Sequence, residues 1–544
     1  MSFVRHLRFL TTAITLTLFL VPAVACAQAF AGVTTYHNDN MRTGQNLAET
    51  VLTTANVNST TFGKLRTWPV DGYVYAQPLY LASVKVRGHR RNVVFIATEH
   101  DSVYAFDPAL RKDKPLWKTS FLSVKYDITT VPSGLVGSTD IVPEIGITST
   151  PVIDPATGTI FVVAKTFENG TNFVLRLHAL QIKNGKERKG SPVELNASVA
   201  GIGDGNNGQG QVPFDAKTAN QRSALALVNG VVYIASAGHN DVRPYHGWIL
   251  GYDETTLQQV SVFNSTPNGF SGAVWMSGDG PASDATNDLY VSTGNGTFDA
   301  NEPGGLDYGD SFLKLGDSGG AFGVLDYFTP WDQASFLIND LDLGSGGLLL
   351  LPDQPGAVPH LALGGGKNGN FYMVNRDAMG GYNTATDDNS QIVQELDGQV
   401  GQQIYCTPAY WNESVYFNGS YYPLTQFRLT GGLLSTTPTY IALTPFGWPG
   451  AVPAVSADGA SNGIVWEIRT EYFADTSGHA VLYAFDANDV ANELYDSNQA
   501  GDRDLPGPAV KFSVPTVANG SVFVGGQYSV TMFGLLPQAK KRRR

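Results

Sequence analysis

The sequence predicts an all-β chain folded as a single β-propeller of about eight four-stranded blades, closed by pairing its two ends. Three observations predict this. The first is a recurring phrase: Pro or Ser with apolar residues, a Gly or Asn turn, a strand rich in Val, Ile, Tyr and Phe, a loop, and a second strand ending near Asp. Residues 515–524 read Pro-Thr-Val-Ala-Asn-Gly-Ser-Val-Phe-Val, followed by Ser-Val-Thr-Met-Phe-Gly-Leu at 529–535; residues 223–234 and 248–253 repeat the pattern. Further copies stand at 151–163 with 174–180, 281–291 with 311–315, 408–417 with 424–429, and 453–468 with 481–486. The second is that each copy has the chemistry of a hairpin, an Asn-Gly or Gly-x turn between two β-branched and aromatic runs. Self-similarity at a period of about 40–50 residues marks stacked supersecondary units. The third is that no long amphipathic helix interrupts the series. Hairpins alone close most economically in a ring, which leaves few open sheet edges.

Counting the units in order places blades near 71–120, 144–196, 211–264, 270–330, 340–398, 402–440, 447–500 and 508–537. The last hairpin is too short for a full sheet. A lone early strand, Phe-Gly-Lys-Leu-Arg-Thr-Trp-Pro-Val at 62–70, is expected to complete it by pairing through 63–70. The organisation is therefore a signal peptide over 1–29, an irregular segment over 30–60, the propeller over 61–537 and a basic tail over 538–544. Within the propeller, 201–211 is a Gly-rich stretch. Asp204 and Asn206 suggest a calcium loop, but position 208 is Gly where such a loop wants Asp or Asn, so it reads as a plain loop.

Composition excludes several functions. The 60 Gly and 29 Pro suit many tight turns, and only 15% charged residues argue against disorder or a coiled coil. Seven basic residues, Arg5, Arg8 and 540–544, sit at the two ends; without them 28 basic face 48 acidic side chains, so the body carries about −20 and offers no broad nucleic-acid surface. The tail reads as a solvated end. Arg5 and Arg8 ahead of the apolar run 9–24 read as an export signal, with cleavage after Ala25, Ala29 or a neighbouring position. The product is then secreted or periplasmic, with lipoprotein anchoring at Cys26 as the alternative, and no other segment is apolar enough to span a membrane. Cys406 is left alone and reads as a small buried hydrophobe.

The repeats from about 36 to 536 resemble those of the pyrroloquinoline-quinone (PQQ) propellers, the fold of quinoprotein alcohol dehydrogenases and of related non-catalytic propellers. Arg42-Thr-Gly and the Leu65 to Trp68 stretch are similar to the family's opening segment. Val274-Trp275 and Thr-Gly-Asn295-Gly are similar to the segment whose Trp forms the floor under the quinone and whose Asn ligates the metal. The resemblance thus implies that Trp275 stacks on the cofactor and that Asn295, with Asp342, faces Ca²⁺. Gly366-Lys367-Asn-Gly is similar to the segment whose Lys contacts the quinone oxygens. Asp340-Leu-Asp342 lies where the family places its catalytic Asp, with Asp332 the competing alignment. Gly146-Ile-Thr148-Ser149-Thr resembles the segment whose hydroxyls touch the cofactor. The implied chemistry is coherent: an aromatic floor suits a planar quinone, a hard cation polarises its carbonyl, and a carboxylate takes the alcohol proton as hydride leaves.

Two departures set this chain apart. The dehydrogenases carry adjacent cysteines that cap the quinone, and this chain has no such pair; the cap position reads Ala-Thr-Glu-His-Asp at 97–101. Between 235 and 247, where a metal-binding Glu is implied, the chain offers His239, Asn240 and Asp241. The implied site residues also have structural uses, Asn295 as a hairpin turn and Trp275 as blade packing. His100, His239 and His246 read as hydrogen-bonded loop residues. Two functions follow. One is an exported, non-catalytic propeller or divergent quinoprotein that binds a protein, glycan or small molecule at one face. The other is a PQQ- and calcium-dependent oxidoreductase acting on an alcohol or sugar. The missing cysteine pair and Glu favour the first.

Overall fold

The computed structural model describes residues 31–537 except 111 and 476; the expected signal peptide with Cys26 and the basic tail lie outside the described residues. Eight sheets are arranged as the blades of a propeller, with one extra two-stranded ribbon. The strands that open the blades are Leu79–Val86, Val152–Asp154, Ala226–Val228, Ala282–Ser283, Leu349–Leu350, Ala409–Trp411, Ala454–Asp458 and Thr516–Ala518. Each pairs antiparallel with the next strand of its own repeat. The Asn-Gly turns behave as their chemistry requires: Asn229 and Gly230 have φ of 48° and 79°, and Asn519 and Gly520 have 47° and 75°, the left-handed pair of a type I′ hairpin.

Closure follows the expected register. Phe62–Pro69 pairs antiparallel with Ser529–Leu535, from Phe62 opposite Leu535 to Pro69 opposite Ser529, across one bulge. Aromatic packing locks this strand to both neighbouring blades. Trp68 stacks on Phe106 of the first blade at 4.8 Å and on Phe523 of the last at 6.1 Å, while Phe62 packs against Trp466 and Tyr495 of the seventh. Phe62 and Trp68 are fully buried.

The irregular N-terminal segment has a structural role that no local pattern announces. Residues 31–46 touch the opening strand of every blade. Gly32–Val33 pairs with Leu79–Val86, and Gln45–Asn46 runs parallel to Ala454–Asp458. Between them, Thr34 O accepts from Ile153 N, Asn40 O from Ser283 N, Met41 O from Leu350 N and Thr43 O from Tyr410 N, at 2.7–2.9 Å. Asn40 Nδ2 donates to Leu227 O and Asn46 Nδ2 to Val517 O, each at 2.9 Å. The segment is a clasp around the channel. Its hub is Arg42, fully buried, whose Nη1 donates to Thr35 Oγ1 and Tyr36 O and whose Nη2 donates to Pro281 O, all at 2.8 Å. Asp279 of the fourth blade stands 3.7 Å from its Nε.

The Gly-rich stretch 201–211 forms the turn of the ribbon Ser198–Ala200 with Gln211–Pro213. There Asp204 is engaged by Arg243 at 2.8 Å and Asn206 bonds to its own loop. No helix among the described residues is long and apolar enough to cross a membrane.

Candidate functional site

Two sets of loops carry the residues singled out above: those leading into each opening strand, and those joining the second and third strands of each blade. Trp275 lies on a loop of the first kind, ahead of Ala282–Ser283. The two residues after it are left-handed without being glycine, Met276 at φ 41° and Ser277 at φ 50°. Such backbone costs about 1–2 kcal/mol per residue and persists only where packing over-determines it. Here Met276 is buried and Ser277 Oγ donates to Ser345 O at 2.6 Å, so the strain fixes the indole in place.

Asn295 and Lys367 lie on loops of the second kind, in the fourth and fifth blades. The structure brings both to Asp340 and Asp342, on the turn that follows the short helix Gln333–Asn339. Lys367 Nζ lies 2.7 Å from Asp340 Oδ1 and 2.7 Å from Asp342 Oδ2, and 5.8 Å from the centroid of the Trp275 ring. Asn295 donates from its backbone N to Asp342 Oδ1 at 2.6 Å and from Nδ2 to Asp340 Oδ1 at 2.8 Å. Its own Oδ1 is buried without a partner. Gly294 makes this approach possible, since a Cβ there would stand 2.4 Å from Asp342 Oδ1. Burial raises the Asp342 carboxyl above its usual range against the pull of Lys367. Burial works to lower the Lys367 pKa, but the two carboxylates overcome it and hold the ammonium firmly charged.

The other candidates fall elsewhere. Asp332 is the residue before the helix Gln333–Asn339, half-buried and influenced by Asp397 rather than by Lys367. Thr148 and Ser149 are buried, and their hydroxyls are spent on Glu99 Oε2 at 3.2 Å and Gln221 Oε1 at 2.7 Å. His239 Nε2 sits 2.7 Å from Lys165 Nζ, His100 Nδ1 is 2.9 Å from Glu144, and His246 Nδ1 is 2.8 Å from Thr266 Oγ1. Cys406 is buried, which pushes its thiol up to about 12.

Around Trp275 the structure adds residues that sequence reasoning missed. Tyr405, Trp448 and Phe512, on the loops into the sixth, seventh and eighth opening strands, make an aromatic wall; Trp275 is 6.0 Å from Tyr405 and 6.3 Å from Phe512. Asp140 pairs with Lys511. A cavity of about 100 Å³ opens between Asp140, Asn220, Arg222, Trp275, Asp342 and Lys367. Fully buried Asp310 holds the Asp342 turn by accepting from Leu343 N at 3.2 Å. The signal available in the sequence is positional: Arg222, Trp275 and Phe512 each stand shortly before a repeated opening strand.

This architecture has known counterparts. The quinohemoprotein alcohol dehydrogenase of Pseudomonas putida HK5 superposes with a TM-score of 0.58 at 13% identity, over 94% of this chain and 81% of that one. The quinohemoprotein alcohol dehydrogenase of Comamonas testosteroni gives 0.58 at 16%, over 96% and 83%. The chain has the quinoprotein alcohol dehydrogenase fold. A europium-containing methanol dehydrogenase gives 0.58 at 12%, over 93% of this chain and 98% of that one. No protein-family model and no curated protein matches the sequence. At these identities the likeness is one of fold, the fold that the repeats imply, and function has to be argued from the site.

Proposed function

We propose that the protein is an exported propeller that binds a small molecule at the mouth lined by Trp275 and Lys367, and that it is not a calcium-dependent dehydrogenase. The observation that carries this reading is the Lys367 ammonium, 2.7 Å from both Asp340 and Asp342. In the resemblance, Asp342 and Asn295 are implied to meet Ca²⁺, a neighbouring Asp is the base, and Lys367 is implied to touch the quinone. Here one lysine occupies both carboxylates.

Calcium does not fit this donor set. It takes six to eight oxygens, whereas only Asn295 Oδ1 and the exposed Asp340 Oδ2 of the cluster are without a partner among the described residues. Among the described residues no group of three or more His, Cys, Asp or Glu is arranged to hold a metal. The quinone does not fit either. The cavity of about 100 Å³ is well under the roughly 300 Å³ at which ligand pockets usually begin, and the lysine stands over the ring that would be the floor. The reading of export rests on Arg5, Arg8 and the apolar run 9–24.

The second reading, a PQQ- and calcium-dependent oxidoreductase of alcohols or sugars, draws on the convergence of Trp275, Asn295, Lys367 and Asp342. Incubation with PQQ, with and without Ca²⁺, separates the two. Desalted protein should retain no quinone absorbance and reduce no dye on addition of alcohols or sugars. Calcium-dependent retention with alcohol-driven dye reduction would restore the second reading.

A further inference from the structure

Most charged groups at the cavity are satisfied. Asp140 is taken by Lys511, and Asp342 by Lys367. Arg222 is different. It is 4% exposed, lines the cavity, and forms no hydrogen bond or ion pair among the described residues; its Nη1 is buried without a partner. Its guanidinium lies 4.7 Å from the Phe512 ring and 5.1 Å from the Tyr75 ring, so aromatic faces hold the plane of the fork. A buried guanidinium left unpaired is costly and is a donor set waiting for an acceptor.

Local geometry explains its direction. Neighbouring side chains along 220–222 take opposite sides. Gln221 turns inward, donating to Gly146 O and accepting from Ser149 Oγ, while Asn220 and Arg222 turn to the cavity. Asn220 Oδ1 is also buried and unpaired. At the exposed rim of the same cavity, Asp241 accepts from Tyr245 OH at 2.5 Å and has no cationic partner among the described residues. The cavity therefore presents a guanidinium without a hydrogen-bond partner and, on the same lining, the unpaired Asn220 Oδ1 and an Asp241 carboxylate of which Tyr245 holds one oxygen.

We propose that this cavity binds a small α-amino acid, its carboxylate on the Arg222 fork and its ammonium on Asn220 Oδ1 and Asp241. A planar carboxylate matches a guanidinium edge, an ammonium matches amide and carboxylate oxygens, and a zwitterion leaves no net charge buried. The volume admits glycine or alanine. This assignment rests on the small-molecule reading above and names its ligand.

The test is calorimetric titration of the full chain with glycine, acetate and methylammonium, alongside thermal melts of Arg222→Leu, Arg222→Lys, Asn220→Ala and Asp241→Asn. Glycine should bind at least about tenfold more tightly than acetate or methylammonium. Arg222→Leu should weaken glycine at least about tenfold, the equivalent of one charge-assisted bond, and Arg222→Lys should recover part of it. Asn220→Ala and Asp241→Asn should bring glycine down toward acetate. Arg222→Leu should melt no lower than the parent, because an unpaired buried charge is removed. A clear fall in its melting temperature would make Arg222 structural and overturn the assignment. Equal or absent binding of all three probes, without calcium-dependent quinone binding, would overturn the amino-acid assignment alone. Calcium-dependent quinone binding would overturn the small-molecule reading and the assignment with it.

Discussion

Deleting residues 510–544 should abolish the cooperative melt of the whole propeller rather than trim one blade. The deletion removes Thr516–Ala518, Ser521–Gly526 and Ser529–Leu535, to which Phe62–Pro69 pairs. It strips partners from Phe62 and Trp68 and opens the aromatic contacts that reach Phe106 in the first blade and Trp466 in the seventh. Each large side chain returned to water costs about 1.5–3 kcal/mol. A handful of them matches the 5–15 kcal/mol by which a domain is stable. The clasp would also lose its bond from Asn46 Nδ2 to Val517 O. Trp68→Ala, a milder version, should cost about 3–5 kcal/mol. Calorimetric melts decide it: a truncated chain that keeps a cooperative transition at the parent temperature would show that the ring does not depend on its closure.

Arg42→Met should be the most damaging single substitution in the clasp, at about 3–5 kcal/mol, the usual cost of removing one partner of a buried ion pair. Three oxygens, Thr35 Oγ1, Tyr36 O and Pro281 O, lose a donor, and Asp279 loses its counter-charge in full burial. The pH dependence has a definite sign. Burial, against the opposing pull of Arg42, pushes the folded Asp279 carboxyl up to about 7, above the roughly 3.9 of an unfolded Asp. A carboxyl raised on folding contributes its stability below the unfolded value and loses it as pH rises through the folded one. In Arg42→Met the carboxyl rises further. The deficit should thus be largest at pH 8 and shrink toward pH 5, where Asp279 takes a proton. Arg42→Met with Asp279→Asn should recover part of the loss at pH 8. Chemical denaturation at the two pH values measures this; a deficit independent of pH would show that the lost hydrogen bonds, not the ion pair, dominate.

The architecture was legible because its signals are local. Asn229-Gly230 and Asn519-Gly520 announce their turns through positive φ, and strands of Val, Ile and Phe announce the sheets they enter. Ring closure was legible by counting, since a last hairpin one strand short needs the lone strand near Trp68. The clasp over 31–46 was not legible. It has no periodicity, and its bonds reach strands up to several hundred residues away, as in Asn46 to Val517. The meeting of Trp275, Asn295 and Lys367 was implied by resemblance alone, and the pairing that decides its chemistry, Lys367 with both Asp340 and Asp342, depends on a short helix that ends in a left-handed Asp340 at φ 56°. Arg222 was missed for a related reason. An arginine between polar residues looks like any loop cation until the loops converge and none supplies it a hydrogen bond or a contact ion pair, with Asp140 and Glu99 acting on it only from farther off.

Calorimetric titration of the wild-type full chain with Ca²⁺, with Asp342→Asn as reference, tests the central claim most directly. Because the Lys367 ammonium already pairs with both Asp340 and Asp342, the wild type should show no saturable heat that the reference lacks. A one-site isotherm present in the wild type and lost in Asp342→Asn would mean that calcium displaces the lysine, and the site would be a metal centre after all.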